Sequence, residues 1–230
     1  MALATYKDLC IDAVDAHRLG AFYATALGLE CEKDGQDAVL RGPTPAHTIW
    51  INQVPEGRTV KNRVHIDVHT GRHSNTVAEL VAAGATVVND TDFTWTVMTD
   101  PEGQEFCAFV RETPPDYKLY ELCVDCTGGP PAEAITTWWA AVFGVEAETE
   151  DGKNWWWIAK LPGVPFDGFS FVEVPEGKTA KNRVHWDVTG DKSALIAAGA
   201  TMVLPQAEGR GWDVLADPDG NEFCVFAPKD

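Results

Sequence analysis

Two short segments of this chain place a histidine and an aspartate on the same side of a strand. His65 and Asp67 lie two residues apart in RVHID, and His185 and Asp187 repeat that spacing in RVHWD. Because side chains alternate along a strand, each pair shares one face. Imidazole can carry a proton or bind a metal, and carboxylates can do both as well. The spacing therefore indicates two polar sites built around a histidine.

The same alternation collects polar and thiol side chains on one face of four other strand-like segments. These are Asp8, Cys10 and Asp12; Glu105, Cys107 and Phe109; Glu121, Cys123 and Asp125; and Glu222, Cys224 and Phe226. If the opposite, apolar faces pack beneath helices, these polar faces converge on a cleft. The alternative is a half-solvated sheet without a site. Cysteine is usually buried, so the thiols favour the cleft.

Most of the sequence occurs twice. VPEGRTVKNRVHIDV at 54–68 returns as VPEGKTAKNRVHWDV at 174–188, with twelve of fifteen positions identical. The offset then falls from 120 to 115 residues, which predicts a shorter second helix in the second half. A repeat of this length is typical of a duplicated small α+β domain. We predict domains at 1–113 and 117–230, separated by the prolines at 114 and 115.

Each half has the pattern of two β-α-β-β-β modules. In the first half, strand alternation at 6–14 precedes helical spacing at 16–29, and strands are predicted at 38–41 and 48–54. A second strand and helix follow at 63–68 and 75–83, and the Asp-Pro-Glu-Gly turn at 100–103 joins strands at 97–99 and 105–110. The sequence therefore predicts eight strands and two main helices in each half.

Charge and cysteine content narrow the functional classes. The 230 residues carry a net charge of -17, and both halves are acidic. Nothing basic is concentrated enough to bind nucleic acid. The N-terminal segment lacks a signal-peptide pattern, and no stretch reaches 18 apolar residues, so we expect a cytoplasmic protein with reduced thiols and no membrane partner. No glycine-rich phosphate loop occurs, so no nucleotide cofactor is expected.

The order of these motifs resembles the vicinal oxygen chelate superfamily, in its glyoxalase-like branch. The resemblance rests on Phe22-Tyr23-x4-Gly28 after Asp15, the KNRVH strand, the AAGA helix end and Asp-Pro-x-Gly before Glu-Phe-Cys. It covers essentially the whole chain. It implies tandem α+β domains whose paired βαβββ modules curve into an open barrel-like cleft. Some members of the superfamily hold a divalent metal such as Zn, Ni, Mn or Fe, and other members bind small molecules without a metal.

The resemblance also assigns candidate metal ligands. They are Asp8, Gln53, His65 and Cys107 in the first half, and Glu121, Glu173, His185 and Cys224 in the second. Cys107 and Cys224 stand where the family usually has glutamate, which weakens the case for a metal without excluding it, since thiolates bind Zn²⁺. The alternative for both histidines is a hydrogen bond inside a polar cleft. The richer second set makes the second half the expected place of a ligand or metal.

Four further residues are candidates for ligand binding. Arg63 and Arg183 share a face with the histidines and could clamp an anion or pair with a neighbouring carboxylate. Trp155 and Trp157 belong to a run of three tryptophans on one strand, which cannot all face the core. At least one of the three should line the cleft or an interface.

Two functions are compatible with these residues. One is a glyoxalase-like lyase or isomerase in which Glu173 or Glu121 moves a proton beside a carbonyl. The other is a metal-free binding or resistance protein that holds an aromatic small molecule or antibiotic in a tryptophan-rich cleft. The chain is expected to act on a small-molecule partner as a pseudo-dimeric monomer or a homodimer. The sequence leaves open whether each site lies within one half or between the halves.

Overall fold

The computed structural model of this protein describes residues 2–127 and 129–228. The first half contains β1 (Ala4–Ala13), β2 (Glu30–Asp34), β3 (Asp37–Arg41), β4 (Ile49–Gln53), β5 (Val64–Gly71), β6 (Thr86–Asn89), β7 (Thr96–Thr99) and β8 (Glu105–Arg111), with helices α1 (Ala16–Leu27) and α2 (Val77–Ala82). The second contains β9 (Leu119–Cys126), β10 (Glu148–Thr149), β11 (Trp155–Ala159), β12 (Gly168–Glu173), β13 (Val184–Gly190), β14 (Thr201–Leu204), β15 (Asp213–Ala216) and β16 (Glu222–Phe226), with α3 (Ala132–Phe143) and α4 (Lys192–Ala197). The predicted repeat of eight strands and two helices is confirmed for the described residues.

The two halves interlock through their sheets. Sheet A has the order β14-β15-β16-β13-β1-β4-β3-β2, and sheet B has the order β10-β11-β12-β9-β5-β8-β7-β6. Each sheet therefore joins one βαβββ module of the first half to one module of the second. The junctions are antiparallel, with β1 beside β13 and β5 beside β9. Neither sheet closes into a barrel, so each keeps an open concave face.

Local sequence explains where the long helices begin and end. The Asp15 carboxylate accepts a hydrogen bond from the Arg18 amide at the start of α1, and Gly28 ends it with a φ of 72°. Helix α3 begins after Pro131, which offers no side-chain cap. A carboxylate oxygen of Glu173 instead accepts from the Ala132 amide at 3.3 Å.

The expected shortening of the second-half helix is wrong. Helices α2 and α4 each contain six residues. The deletion lies instead in the connection before the helix, which spans 72–76 in the first half but only Asp191 in the second. The chain shortened a loop because a loop can lose residues without losing packed apolar surface.

One apolar core runs through both halves between the two sheets. Trp139 of α3 is fully buried and packs edge to face on Trp186 of sheet A, with ring centroids 4.8 Å apart. Phe143 of the same helix reaches Phe169 of sheet B at 5.8 Å. The helices thus bind the convex faces of both sheets into a single unit. Among the described residues, no helix is long and apolar enough to cross a membrane.

The repeated KNR segments hold each half to the other. Arg63 Nη1 donates to the Glu176 carbonyl at 2.9 Å, and Arg183 Nη1 donates to the Glu56 carbonyl at 2.7 Å. Because both arginines are buried, these bonds are made away from water, where leaving them unmade is costly. The strongest repeat in the sequence therefore encodes a reciprocal contact between the halves.

Candidate functional site

Two clefts lie on the concave faces of the sheets, and both are built from the two halves. Cleft A, on sheet A, is a cavity of about 850 Å³ whose lining includes Lys7, Cys10, Trp50, His185, Asp187 and Cys224. Cleft B, on sheet B, carries His65, Asp67, Cys107, Glu121, Cys123 and Ser170 on the same face of adjacent strands. The question left open by the sequence is thus answered by the sheets: each site lies between the halves, since Asp8 lies with His185 and Glu121 lies with His65. Sequence similarity between the halves could not reveal which strands pair across them.

The predicted direction of the histidine side chains is confirmed. His185 lines cleft A, whereas the next residue, Trp186, is fully buried against α3. His65 pairs with Cys123 across the sheet, and Ile66 is buried in the core. Strand alternation alone sends neighbouring side chains to opposite faces.

Gln53 and Glu173 do not lie in either cleft, which corrects their assignment as ligands. Gln53 pairs with Ala13 and Glu173 with Cys126, both on the core-facing side of the strands, and both are exposed where their strands end. Because the side-chain period is two, an error of one residue moves a ligand to the wrong face. Trp50 and Ser170 are the residues that pair with Cys10 and Cys123 on the cleft side. Glu173 caps α3 and therefore does not lie where it could act as a catalytic group in either cleft.

The floor of cleft A is a set of buried groups that already contact one another. Lys7 Nζ lies 2.5 Å from Asp8 Oδ2, and Trp50 Nε1 donates to the same oxygen at 3.1 Å. Burial and the facing Asp8 carboxylate raise the pKa of Asp187 well above its ordinary value. Asp8 Oδ1 is buried as well and has no hydrogen-bond partner among the described residues. Lys7 is the cation that faces both carboxylates, since its Nζ also lies 4.0 Å from Asp187 Oδ2.

Thiols and the imidazole complete cleft A. Cys10 Sγ donates to Asp187 Oδ1 at 3.7 Å, and Cys224 Sγ lies 3.5 Å from His185 Nε2. Burial lowers the pKa of His185 and raises that of Cys10. Near neutral pH this imidazole is therefore uncharged and these thiols are protonated.

Cleft B repeats the histidine–aspartate pair, with Tyr120 at the position that Lys7 has in cleft A. His65 Nδ1 lies 3.0 Å from Asp67 Oδ1. Burial lowers the pKa of His65, but Cys123 and Asp67 outweigh that effect and raise it well above its usual value. Burial and the neighbouring Asp67 raise the pKa of Glu121 to about 8. Cleft B therefore holds a protonated carboxyl group beside a charged imidazole near neutral pH.

Aromatic side chains line both clefts. Trp155 and Trp157 line a cavity of about 350 Å³ together with Glu121, which agrees with the expectation that part of the tryptophan run faces a cleft. Trp212 stacks on Phe226 in cleft A at 5.3 Å, and Trp95 stacks on Phe109 at the same distance in sheet B. Trp212 and Trp50 were not among the sequence candidates. Two features of the sequence could have indicated them. Trp50 shares a strand face with the polar Asn52, and Trp212 occupies the same position in the second half as Trp95 does in the first.

Arg63 and Arg183 lie outside both clefts. They line a separate cavity of about 620 Å³ between the two repeated loops. Besides its contacts to backbone carbonyls, Arg183 Nη2 lies 3.5 Å from a Glu102 carboxylate oxygen. These contacts support the ion-pair alternative for Arg183, and the role of either arginine in binding a ligand stays a prediction.

Comparison with known proteins identifies the family. The family model for the glyoxalase-like domain matches the chain twice, at residues 8–109 and 121–226. The chain belongs to the glyoxalase-like family. The two matches show a tandem protein of the vicinal oxygen chelate type. No curated protein matches this glyoxalase-like chain in sequence.

Solved structures share its fold at low sequence identity. Glyoxalase I from Zea mays superposes with a TM-score of 0.68 and 11% identity, over 96% of this chain and 92% of that chain. A putative dioxygenase from Bacillus subtilis subsp. subtilis str. 168 gives a TM-score of 0.66 and 12% identity, over 100% of this chain and 86% of that chain. At these identities the likeness shows the fold and leaves the activity to the residues of the clefts.

The two clefts differ in how well they fit the divalent metal that the family implies. In cleft B, ligand atoms of His65, Asp67 and Cys107 lie within 4.8 Å of one another, and a nitrogen, oxygen and sulfur donor set suits Zn²⁺. In cleft A, Asp8 is already bound to an ammonium group and an indole NH. The residues of cleft B fit a metal that displaces the proton of His65, and those around Asp8 do not.

Proposed function

We propose that this glyoxalase-like protein binds a planar aromatic small molecule in cleft A without a metal. The observation that carries the proposal is the cavity of about 850 Å³, which is the size of a drug-like ligand site. Trp50, Trp212 and Phe226 line it and are each partly exposed. Flat, partly exposed aromatic rings offer stacking surface at little entropic cost.

Charge at the mouth of cleft A favours a cationic ligand. The carboxylates of Asp34 and Asp37 line the cavity beside Trp50. The deeper Asp12 carboxylate is already paired with a cation, since its Oδ2 lies 2.6 Å from Lys181 Nζ. The unmatched negative charge therefore lies where a ligand enters, and it attracts cations.

Calorimetry with two planar probes tests this function. We expect cationic proflavine to bind more tightly than anionic anilinonaphthalene sulfonate. Trp212→Ala should weaken proflavine binding about tenfold, because it removes one stacking surface. Trp95→Ala, at the equivalent position of the other sheet, is the matched control and should leave the affinity unchanged. Equal effects of the two substitutions, or no binding of either probe, would contradict a ligand site in cleft A.

A second candidate function is proton transfer in cleft B, of the lyase or isomerase kind. Glu121, with its pKa of about 8, is mostly protonated at neutral pH and can donate to a developing oxyanion, while the Asp67 carboxylate paired with it accepts the proton removed from carbon. The charged His65 beside it stabilises negative charge. A divalent metal held by His65 would displace that proton and would polarise a substrate oxygen in its place. Tryptophans 155 and 157 form one wall for the substrate.

Isotope exchange tests the second function. In D₂O, the hemithioacetal of methylglyoxal should exchange its carbon-bound hydrogen in the presence of the protein, as followed by NMR. Glu121→Gln should slow the exchange about a hundredfold, within the range expected for loss of a general acid. Glu148→Gln alters an exposed carboxylate of the neighbouring strand β10 and should have no effect. Unchanged exchange in Glu121→Gln would exclude this role.

Location, domain limits and assembly follow as proposals. All six cysteines are free thiols, which supports a reducing compartment such as the cytoplasm. We place the domain limits at 1–113 and 117–230 and propose that the chain acts as a pseudo-dimeric monomer, because each cleft is already completed by the other half.

A further inference from the structure

We propose that the residue at positions 7 and 120 decides which cleft accepts a metal: Tyr120 leaves cleft B open to a thiophilic divalent ion, and Lys7 excludes one from cleft A. The inference concerns the chain's metal selectivity and is independent of the ligand proposed for cleft A. It rests on a local irregularity that both halves share.

A β-bulge aims residues 7 and 120 into the clefts. In β1, Tyr6 and Asp8 pair with the consecutive residues Val188 and Asp187, so Lys7 is the extra residue. In β9, Leu119 and Glu121 pair with Val68 and Asp67, so Tyr120 is the extra residue there. Bulges next to functional sites commonly redirect one side chain.

Cleft B offers three donors for a thiophilic ion. Atoms of His65, Asp67 and Cys107 lie within 4.8 Å of one another. Ligands about 2.0–2.3 Å from Zn²⁺ lie about 3.2–3.8 Å apart in a tetrahedron, so small side-chain rotations suffice. Three protein ligands leave one position for water or substrate. The Tyr120 ring beside them is neutral and packs edge-on against Phe109 at 5.1 Å.

Cleft A also offers a thiol, a histidine and an aspartate, but its bulge residue is a lysine where cleft B has a tyrosine. Cys10, His185 and Asp187 also bring donor atoms within 4.8 Å of one another. Lys7 Nζ, however, lies 4.0 Å from Asp187 Oδ2, 2.5 Å from Asp8 Oδ2 and 4.1 Å above the Phe226 ring. An ammonium group 4.0 Å from the Asp187 donor repels a dication, and it already pairs with the neighbouring Asp8 carboxylate. Lys7 therefore replaces a metal in cleft A as a resident cation.

Cobalt titration of the full chain tests this assignment, with Cys31→Ser as background because Cys31 is an exposed thiol. Co²⁺ bound by a thiolate shows a charge-transfer absorption band. We expect one equivalent of Co²⁺ to give this band. Cys107→Ser should abolish the band, and Cys224→Ser, its equivalent in cleft A, should leave it unchanged.

Reciprocal exchange of the bulge residues tests the selectivity directly. Lys7→Tyr should raise the stoichiometry to two, and Tyr120→Lys should reduce it to zero. Tyr120→Phe should retain one equivalent, which separates charge from packing, and circular dichroism checks that each variant folds. Lys33→Tyr, on an exposed strand, controls for loss of a lysine elsewhere and should also retain one.

Three results would overturn the proposal. They are two equivalents bound by the wild type, a band that depends on Cys224 rather than Cys107, and no band in any variant. A folded Lys7→Tyr variant with unchanged stoichiometry would show that Lys7 does not exclude the metal. Proflavine binding is measured separately, so failure here leaves the function proposed for cleft A standing.

Discussion

Replacing Trp139 by alanine should lower the free energy of unfolding by about 3–5 kcal/mol, the range measured for deleting a large buried aromatic side chain. Trp139 is fully buried and packs against Trp186 and Phe223 of sheet A. Its Nε1 donates to Asp217 Oδ2 at 3.0 Å, so the truncation also leaves a buried carboxylate with one donor fewer. Both the cavity and the lost hydrogen bond act in the same direction.

Chemical denaturation followed by circular dichroism measures this change. Trp138→Ala is the matched control, because Trp138 is adjacent on α3 but only partly buried and donates to the Ala198 carbonyl. We expect the control to lose less than half as much stability. Equal losses would show that the packing of α3 between the sheets contributes less than its burial indicates.

Arg183→Ala should lower the free energy of unfolding by about 3–5 kcal/mol, because removing one partner of a buried charged contact leaves the other partners unsatisfied. Its guanidinium group donates to the Glu56 and Asp12 carbonyls at 2.7 and 3.0 Å and lies 3.5 Å from Glu102. These partners belong to the first half of the chain, so the substitution weakens the contact between the halves.

An exposed arginine provides the control for Arg183. Arg72 pairs with Glu112 on the surface, where both side chains are mostly exposed. Arg72→Ala should change stability by about 0–1 kcal/mol, as is usual for a surface ion pair. Thermal and urea unfolding of both variants measure the loss of stability. Comparable losses in Arg183→Ala and Arg72→Ala would refute a structural role for the buried arginine.

Local pattern predicted most of the fold and the faces of its strands. Alternation around His185 correctly separated it from Trp186, because neighbouring side chains on a strand point to opposite faces. The alternation that placed Asp8, Cys10 and Asp12 does not extend to Lys7, since the bulge after Tyr6 interrupts it. Nothing in the neighbouring residues marks such a bulge, which depends on pairing with β13.

The membership of each cleft depended on contacts distant in sequence. Asp8 pairs with Asp187, although 179 residues separate them in number and the first half has its own aspartate at the equivalent position. Two equivalent modules can pair within a half or across halves with the same local residues. The choice appears only in the antiparallel junctions of the sheets, so the sequence could not assign ligands to sites.

Each sheet joins one module from each half, so the two clefts are built from different residues of one chain. In an assembly of two identical chains, every substitution would appear in both clefts at once. In this fused chain, a change in β1 alters only cleft A and a change in β9 alters only cleft B. Substitutions can therefore change the ligand of one cleft while the other cleft keeps its chemistry. The difference between Lys7 and Tyr120, at equivalent positions of the two sheets, is a divergence of this kind.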